Sequence, residues 1–285
     1  METGKTRVVV CADDYGFTPG ISRGIREAIA ARRISATSAM TGCDPWADEA
    51  AALRDIAGDA DIGLHVTLTD QRPLGRMPIL APSGQFPSMP TVYRAGVLGR
   101  LPLLEIEAEI ERQAEAFIRY YGQPPAHIDG HHHVHQLPGV RDIVVRVAKR
   151  IGPGRTWVRD CGERPALIVR RGVGAVKALV IGSFGAGVRR RALLSGVPVN
   201  TGFSGAYDFV GDRRPPAELF RRFVDGVGRN AVVMCHPGYA DTQLAALDSM
   251  TTAREAELSY LMSDAWPALL ARHGIEVGPL VRDAP

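Results

Sequence analysis

Acids and imidazoles directly follow four apolar segments of this sequence. Asp13 and Asp14 come after VVVCA, His65 comes after IGL, and His236 comes after VVMC. The segment HIDGHHHVH at 127–135 holds five of the eight histidines in the chain. Carboxylates and imidazoles together can bind a divalent cation and leave coordination positions open for water and substrate. The four segments therefore predict a metal site, provided that the fold brings them together.

The adjacent carboxylates Asp13 and Asp14 strengthen this hypothesis. Two buried, ionised carboxylates repel each other, and a bound cation relieves that repulsion. One of them could bind the metal while the other acts as a general base, and His236 could protonate a leaving group. Each feature alone has a simpler interpretation, because Asp often caps helices and a single His often lies in the core or in a loop. The coincidence of four such strand ends favours the metal site.

The elements that must position these residues alternate along the chain. Short apolar runs predict strands at 7–11, 35–40, 61–68, 126–129, 156–159, 230–235 and 275–277. Helical spacing predicts helices at 20–33, 47–56, 103–121, 138–151 and 215–227, with one or two more within 255–273. Repeated βαβ units predict an α/β fold with a parallel sheet, either open or closed into a barrel. The carboxyl ends of parallel strands meet on one face, which carries the chemistry.

Two stretches have no clear secondary-structure pattern. Residues 70–100 are rich in Pro and Gly, and we expect a long loop excursion with a functional role. Residues 160–200 contain Gly-rich and Arg-rich helical pieces, and we expect this segment to help determine the substrate. No linker interrupts the chain, so the sequence predicts a single domain over 1–285.

Composition limits the class of protein. The chain has 285 residues, of which 45% are hydrophobic and 23% are charged, and this balance is typical of globular proteins. No apolar run approaches the ~20 residues of a membrane span, and the apolar segment before Asp13 is too short for a secretory signal. We therefore expect a cytoplasmic protein. Four widely spaced cysteines indicate neither a disulfide framework nor a Cys-based zinc cluster. A net charge of +3 does not indicate a nucleic-acid partner.

Four sequence blocks resemble those of a known family. They are CADDYG (11–16), IGLHVTLT (62–69), HIDGHHHVH (127–135) and MCHPGY (234–239). In this order they resemble the YdjC-like carbohydrate deacetylases, also called the ChbG/HpnK family. The resemblance implies a distorted (β/α) barrel with parallel strands, related to polysaccharide deacetylases. It also implies metal-dependent removal of an acetyl group from an N-acetylated sugar. Cys11 and Tyr15 depart from the usual Asn and Phe of the family, which we expect to alter substrate fit more than chemistry.

The resemblance further implies roles for individual residues. Asp14, His65 and His131 would bind the metal, Asp13 would be the general base, and His236 would be the general acid. The family points to Mg²⁺ as the cofactor. Mixed ligation by His and Asp also suits Zn²⁺ or another transition metal.

Further residues of the chain are candidates for orienting a ligand or contacting the substrate. Asp129 could orient a ligand imidazole, and His133 or His135 would be the next candidates after His131 for the metal or the substrate. The candidates for sugar contact are Trp157, Arg159, Phe203, Tyr207 and Tyr239. The alternative functions are another metal-dependent hydrolase, such as a phosphoesterase, and a non-catalytic metal-binding or sugar-binding protein. A homodimer is possible.

Overall fold

A curled, wholly parallel sheet forms the centre of the molecule. The computed structural model describes residues 4–209 and 211–281. Its strands are β1 (Thr6–Tyr15), β2 (Ala36–Ala39), β3 (Asp61–Val66), β4 (His127–Gly130), β5 (Trp157–Val158), β6 (Phe203–Ser204), β7 (Val232–Cys235) and β8 (Ile275–Val277). The strand order is β5-β4-β3-β2-β1-β7-β6, and β8 pairs with the start of β1. The predicted α/β class with parallel strands is therefore confirmed.

Helices cover the outside of this sheet. They are α1 (Pro19–Ala30), α2 (Trp46–Ile56), α3 (Met89–Val97), α4 (Leu103–Tyr121), α5 (Val140–Ile151), α6 (Pro165–Arg171), α7 (Ala175–Ser195), α8 (Pro216–Phe223), α9 (Thr242–Leu247), α10 (Thr252–Met262) and α11 (Ala265–Arg272). A short 3₁₀ segment, His131–Gln136, follows β4 directly. In the described part of the chain, none of the helices has the length and apolar character that a bilayer crossing requires.

The segment 198–204 connects the two edge strands of the sheet. The Val158 amide of β5 donates to the Pro198 carbonyl at 2.9 Å, and Val158 forms a parallel bridge with Val199. At the other end of the segment, β6 pairs with β7. Between them, the Asn200 side chain bonds both the amide and the carbonyl of Asp160, at 2.7 and 2.8 Å. These contacts close the curled sheet into a distorted barrel, which confirms the expected fold class.

Side-chain alternation along β1 determines which residues face the barrel interior. Val8 and Val10 belong to the large hydrophobic cluster that contains the buried side of α1. Val9 and Cys11 belong to a second cluster, which includes Trp157 and other residues of the facing strands. Because alternate residues of a strand point to opposite faces, this pattern directs the next odd-numbered side chain, Asp13, into the barrel.

The structure differs from the sequence-based prediction at several elements. The expected loop at 70–100 contains α3, in which Pro90 occupies the first turn, where its missing N–H costs nothing. The helix predicted from 138 begins at Val140, because Gly139 adopts a φ of 82°. Strand β6 was not predicted, because two residues give no readable periodicity. The segment 160–200 forms α6 and α7, as its helical pieces indicated.

Candidate active site

Three of the predicted ligands converge at the carboxyl ends of β1, β3 and β4. Asp14 Oδ1 lies 3.3 Å from His65 Nε2 and 3.1 Å from His131 Nδ1. The three candidate ligand atoms all lie within 4.8 Å of one another. One carboxylate oxygen and two imidazole nitrogens on one side of a small space form a set that can hold a divalent cation and leave positions open.

A backbone irregularity at the end of β1 directs Asp14 toward these histidines. Asp14 has a φ of 72°, in the left-handed region that Asp tolerates better than most residues. The register of β1 against β2 shifts between Ala12 and Tyr15. Such a bulge turns a side chain away from strict strand alternation. Asp13 and Asp14 are therefore adjacent in sequence but meet different partners.

Asp13 is bound by Arg159 from inside the barrel. Its two carboxylate oxygens each accept a hydrogen bond of 2.7 Å from the Arg159 guanidinium. Arg159 also contacts Asp129 Oδ2 at 2.5 Å. Burial opposes the charge on Arg159, but Asp129 and Asp13 raise its pKa well above its usual value. Arg159 is fully buried, so the structure places this expected sugar contact beneath the site instead of on its surface.

Asp129 contacts the imidazole of His65 on the side away from Asp14. Asp129 Oδ1 lies 2.7 Å from His65 Nδ1, and Ser38 Oγ lies 3.0 Å from the same nitrogen. This leaves Nε2 facing Asp14. Burial opposes protonation of His65, but the nearby carboxylates outweigh it and raise the pKa of His65 to about 10. The pKa of Asp129, which burial alone would raise, is held well below its usual value by Arg159 and His65.

The His-rich segment divides into separate roles. His132 and His133 have left-handed φ values of 52° and 57°, so the strand ends at Gly130 and its alternation does not continue. His132 Nδ1 contacts Thr69 Oγ1 at 2.9 Å. His133 is partly exposed, whereas His135 is buried with its Nε2 2.9 Å from the Arg159 carbonyl. Of this segment, His131 is the residue that lies together with Asp14 and His65.

His236 directly follows β7, on the same strand-end face as Asp14, His65 and His131. Its backbone N–H donates to Glu257 Oε2 at 2.6 Å, and Glu257 Oε1 accepts from the Tyr207 hydroxyl at 2.7 Å. His236 Nδ1 is buried and has no hydrogen-bond partner among the described residues. Burial lowers the pKa of His236 to about 4 and raises the pKa of Glu257 to about 7.

Two residues of α10 contact the site without having been predicted individually. Arg254 Nη2 lies 2.7 Å from Asp14 Oδ2 and 2.9 Å from Asp248 Oδ2. Burial would raise the pKa of Asp14, but Arg254 and the two histidines hold it well below its usual value. Arg254 and Glu257 both lie in the stretch TAREAEL near the end of the chain, outside the four blocks that carry the family resemblance. Neither follows an apolar strand, so the pattern that predicted the other site residues did not indicate them.

A pocket with a volume of about 580 Å³ opens over these groups. Its floor holds Asp13, Asp14, His65, His131 and His236, and Arg254 also reaches it. We call it the metal pocket. The lining residues from α3 and α7 are Met89, Pro90, Tyr93, Lys177, Val180 and Ile181. Both stretches without a clear sequence pattern thus contribute to its walls.

The remaining expected sugar contacts lie elsewhere. The Tyr239 hydroxyl donates to Glu27 Oε2 at 2.5 Å, so this side chain faces α1 instead of the metal pocket. Trp157 and Phe203 are buried in the hydrophobic cluster inside the barrel. Tyr207 is buried against Glu257. In their place the structure brings residues of α3 and α7 to the pocket wall.

The backbone of α1 approaches the HPG segment after β7 very closely. A Cβ on Gly24 would lie 2.9 Å from Gly238 Cα and 2.9 Å from Leu258 Cδ2. The glycines at 24 and 238 therefore allow α1 to contact the segment that carries His236.

The fold is a parallel barrel, and Asp14, His65 and His131 lie together at its strand ends. Residues 7–272 match the family of YdjC-like proteins, and the chain belongs to that family. It is 30% identical over 275 residues to the chitooligosaccharide deacetylase of Enterobacter sp. (strain 638), covering 95% of this chain and 96% of that one. It is also 30% identical over 274 residues to the carbohydrate deacetylase of Geobacillus stearothermophilus, covering 94% of each chain. The resemblance seen in the sequence is confirmed.

The fold is also found in a solved structure. A crystal structure from Enterococcus faecalis V583 superposes with a TM-score of 0.74 at 21% identity, covering 97% of this chain and 98% of the other. The likeness supports the barrel fold over nearly the whole chain.

Proposed function

We propose that this protein is a metal-dependent carbohydrate N-deacetylase, which hydrolyses the amide of an N-acetylated sugar to acetate and a free amine. The observation that carries the proposal is the meeting of Asp14, His65 and His131 with a further carboxylate, Asp13, and a further imidazole, His236, at one pocket. The names of the two deacetylase relatives support the same reaction. A protein that only bound a metal would have no use for Asp13 and His236 beside the ligands.

The donor atoms fit a divalent metal ion. Asp14 Oδ1 and the facing nitrogens of His65 and His131 are close enough to share one ion. Arg254 holds the other oxygen of Asp14, and Asp129 holds the other nitrogen of His65, so each ligand is oriented from behind. We propose Mg²⁺ on the family resemblance, with Zn²⁺ or another transition metal as the alternative that the two imidazoles favour. When bound, the ion would polarise the amide carbonyl and acidify a water molecule.

The protein's own residues would move the protons. Asp13 accepts a proton from the attacking water, and Arg159 fixes the position of its carboxylate through two hydrogen bonds. His236 donates a proton to the departing sugar nitrogen. Because burial lowers the pKa of His236 to about 4, this imidazole is neutral in the free site at neutral pH. The negative charge that develops on the amide oxygen favours protonation of this imidazole, which takes up a proton from solvent and passes it to the departing nitrogen.

We further propose a cytoplasmic location and a small N-acetylated sugar or glycoconjugate as the substrate, without a nucleic-acid partner. A homodimer stays a prediction, and light scattering of the purified protein tests it.

Acetate release from N-acetylglucosamine oligomers, with and without a chelator, tests the proposed reaction. We expect the chelator to abolish release and added divalent metal to restore it. Asp14→Ala should lose both the bound metal and the activity. Asp225→Asn, which alters an exposed carboxylate paired with Arg170, is the matched control and should keep both. Survival of acetate release in Asp14→Ala contradicts the assignment, and metal-dependent phosphate release from aryl phosphates without acetate release would favour a phosphoesterase.

A further inference from the structure

Two segments of the chain carry positive charge without any acidic residue. Residues 71–104 contain four arginines, and residues 164–207 contain six arginines and one lysine, but neither segment contains Asp or Glu. Because the whole chain has a net charge of +3, the remaining residues together carry a net charge of −8. The two segments supply α3 and α7 to the walls of the metal pocket. The positive charge of the protein is therefore concentrated in the segments that form those walls.

The same two segments hold most of the exposed large apolar side chains. Of the sixteen such side chains in the part of the chain that the structure describes, thirteen lie within 71–104 and 164–207. Those on α7 are Val176, Leu179, Val180, Leu193 and Leu194. Exposed apolar residues are normally scattered singly, and a concentration of them marks a contact with a partner or a membrane. Apolar exposure and positive charge thus occur in the same two segments.

Helix α7 is apolar on its outer side as well as on its inner side. The inner side is buried through Ile181, Val188 and Ala192. The residues of the outer side are exposed and recur every three or four positions, at Val176, Val180, Ser183, Ala186, Arg190 and Leu194. A helix with apolar residues on both sides needs a cover for its outer side. Long basic side chains beside such residues can extend to a charged surface while their stems cover apolar area.

Helix α3 lies beside α7 at the mouth of the metal pocket. The ring of Tyr93 on α3 packs edge-on against Phe184 of α7, with 5.9 Å between the ring centroids. Met89 of α3 and Val180 of α7 are both exposed, and both line the pocket. Arg94 of α3 is exposed as well. We call the exposed residues of α3 and α7 together the basic apolar face.

We propose that the basic apolar face docks on a lipid bilayer with anionic headgroups and so holds the mouth of the metal pocket at the membrane surface. The apolar side chains enter the boundary between headgroups and acyl chains, and the basic side chains contact the anionic headgroups. The inference does not depend on the proposed deacetylase function, because it concerns where the protein binds and not which bond it hydrolyses.

Two arginines of the basic apolar face are available for an anionic surface. Arg94 and Arg190 are exposed, and neither forms an ion pair with any residue that the structure describes. By contrast, Arg191 pairs with Asp142. Each basic residue held near an anionic membrane strengthens binding about fivefold, and this attraction weakens as the salt concentration rises.

A second copy of the chain fits this face poorly. In a symmetric dimer the same surface meets itself, so the positive face of one protomer would contact the equally positive face of its partner. Like charges brought together at an interface oppose binding. An anionic bilayer supplies the opposite charge together with an apolar layer. An acidic partner protein is the competing occupant, and binding to protein-free vesicles separates the two.

Sedimentation with vesicles tests this docking on the full chain. We expect binding to vesicles of equimolar phosphatidylcholine and phosphatidylglycerol, little binding to phosphatidylcholine alone, and loss of binding at high salt. Arg94→Gln/Arg190→Gln should weaken binding about 10–30-fold, the effect of two basic residues near the surface. Arg119→Gln/Arg155→Gln is the matched control, because it removes the same charge from two exposed arginines outside both segments. It should bind as the wild type does.

Val176→Ser/Leu179→Ser tests the apolar contribution. Both side chains are exposed, and neither lines the metal pocket. We expect this variant to bind the anionic vesicles about tenfold more weakly, because less apolar area leaves water. Tyr120→Ser/Met262→Ser, which changes two exposed apolar residues outside both segments, is the control and should keep full binding. Thermal melting checks that each variant is folded.

Tryptophan fluorescence gives an independent readout of insertion. The native residues Trp46, Trp157 and Trp266 are buried, so they contribute a constant background. The emission of Val176→Trp should shift to shorter wavelength on anionic vesicles, and brominated phospholipid in those vesicles should quench it. Tyr120→Trp, outside both segments, should show neither change.

Several results would overturn the docking. A wild type that does not bind anionic vesicles excludes the bilayer and favours an acidic protein as the occupant. Equal binding to phosphatidylcholine alone contradicts recognition of anionic headgroups, and full binding by both test variants places the contact on another surface. A dimer that Val176→Ser/Leu179→Ser dissociates in light scattering would show that a second copy covers the face. Vesicle binding without acetate release, by contrast, contradicts the deacetylase function alone.

Discussion

Arg254 binds the side of the Asp14 carboxylate that faces away from the two histidines. Its Nη2 lies 2.7 Å from Asp14 Oδ2, whereas Oδ1 is the atom that faces His65 and His131. The guanidinium therefore fixes the rotation of the carboxylate and leaves one oxygen available for a cation. Its own Nη1 is buried without a hydrogen-bond partner in the described ranges 4–209 and 211–281.

Replacing Arg254 should weaken metal binding although it is not a ligand. We expect Arg254→Gln to lower the affinity for the divalent ion by about 10–100-fold, the usual effect of removing a group that orients a ligand. Arg254→Lys keeps the charge but loses the planar fork, so its loss should be smaller. Isothermal titration with the metal measures both, and thermal melting shows whether each variant folds. Unchanged affinity in a folded Arg254→Gln protein contradicts this role.

Tyr207 should affect catalysis through Glu257 and the backbone of His236. Tyr207→Phe removes the hydroxyl that donates to Glu257 at 2.7 Å, and this donor lowers the pKa of Glu257. Burial raises the pKa of Glu257 to about 7, so its carboxylate becomes ionised as the pH rises through 7. The ionised carboxylate is the form that best accepts the hydrogen bond from the His236 N–H. Without Tyr207, we expect this rise in activity to move to higher pH, with kcat reduced about tenfold and KM nearly unchanged.

The pH profile of kcat measures this shift. The control is Tyr260→Phe, because the Tyr260 ring packs against Phe220 away from the metal pocket. This variant should keep the wild-type profile. If the pH profile of Tyr207→Phe is identical to that of the wild type, the ionisation of Glu257 does not affect proton donation by His236.

His135 should make the protein less stable in acid. Burial lowers its pKa to about 4, whereas an unfolded histidine titrates near ~6.5. Between these values the unfolded chain binds one more proton than the folded chain, so stability falls as the pH is lowered through this window. The contribution is fully present above about pH 6.5 and changes by about 1.4 kcal/mol per pH unit below it.

The variant His135→Gln should remove this contribution. Its free energy of unfolding should therefore fall less steeply as the pH is lowered, by about 1.4 kcal/mol per pH unit. Urea unfolding at several pH values between 4 and 7.5 gives the free energy of unfolding for the variant and the wild type. His273→Gln, an exposed position, controls for the loss of an imidazole. Parallel curves for His135→Gln and wild type would contradict the prediction.

Gly24→Ala should both destabilise the protein and slow the reaction. The added Cβ would lie 2.9 Å from Gly238 Cα, and backbone cannot move aside as a side chain can. Overpacking of this kind costs about 1–3 kcal/mol, which exceeds the gain of about 1 kcal/mol in helix propensity. We expect a lower Tm and a reduced kcat, because Gly238 lies two residues after His236. Gly228→Ala, where a Cβ meets nothing within 4 Å, is the control. A higher Tm for Gly24→Ala would show that the helix propensity outweighs the contact.

The part of the site that the sequence predicted lies at strand ends. Asp13, Asp14, His65 and His236 each follow a short apolar run, and parallel strands bring such positions to one face whatever the lengths of the connections. This general rule made the convergence predictable before the structure, and the family resemblance selected His131 from its neighbours.

The part that the sequence could not predict depends on contacts across the fold. Arg254 reaches Asp14 from 240 residues away, and Glu257 reaches the His236 amide from a helix with no distinctive pattern. The two-residue strand β6 and the left-handed φ of Asp14 likewise leave no periodicity to read. For the same reason Tyr239, beside the HPG motif in sequence, was expected at the site but bonds Glu27.

Asn200 helps to join the two edges of the barrel. The end of the barrel that carries the metal pocket therefore has one side with continuous strand pairing and one side with few connecting contacts. The candidate metal ligands lie at the ends of strands in the continuous ladder from β1 to β4, whereas the edge at β5 is joined to the segment 198–204 by the backbone pairing of Val158 and by the Asn200 side chain. Helix α7 leads directly into that segment and carries the far wall of the metal pocket. Substitutions on α7 should therefore change which substrates the metal pocket accepts while the geometry of Asp14, His65 and His131 stays unchanged.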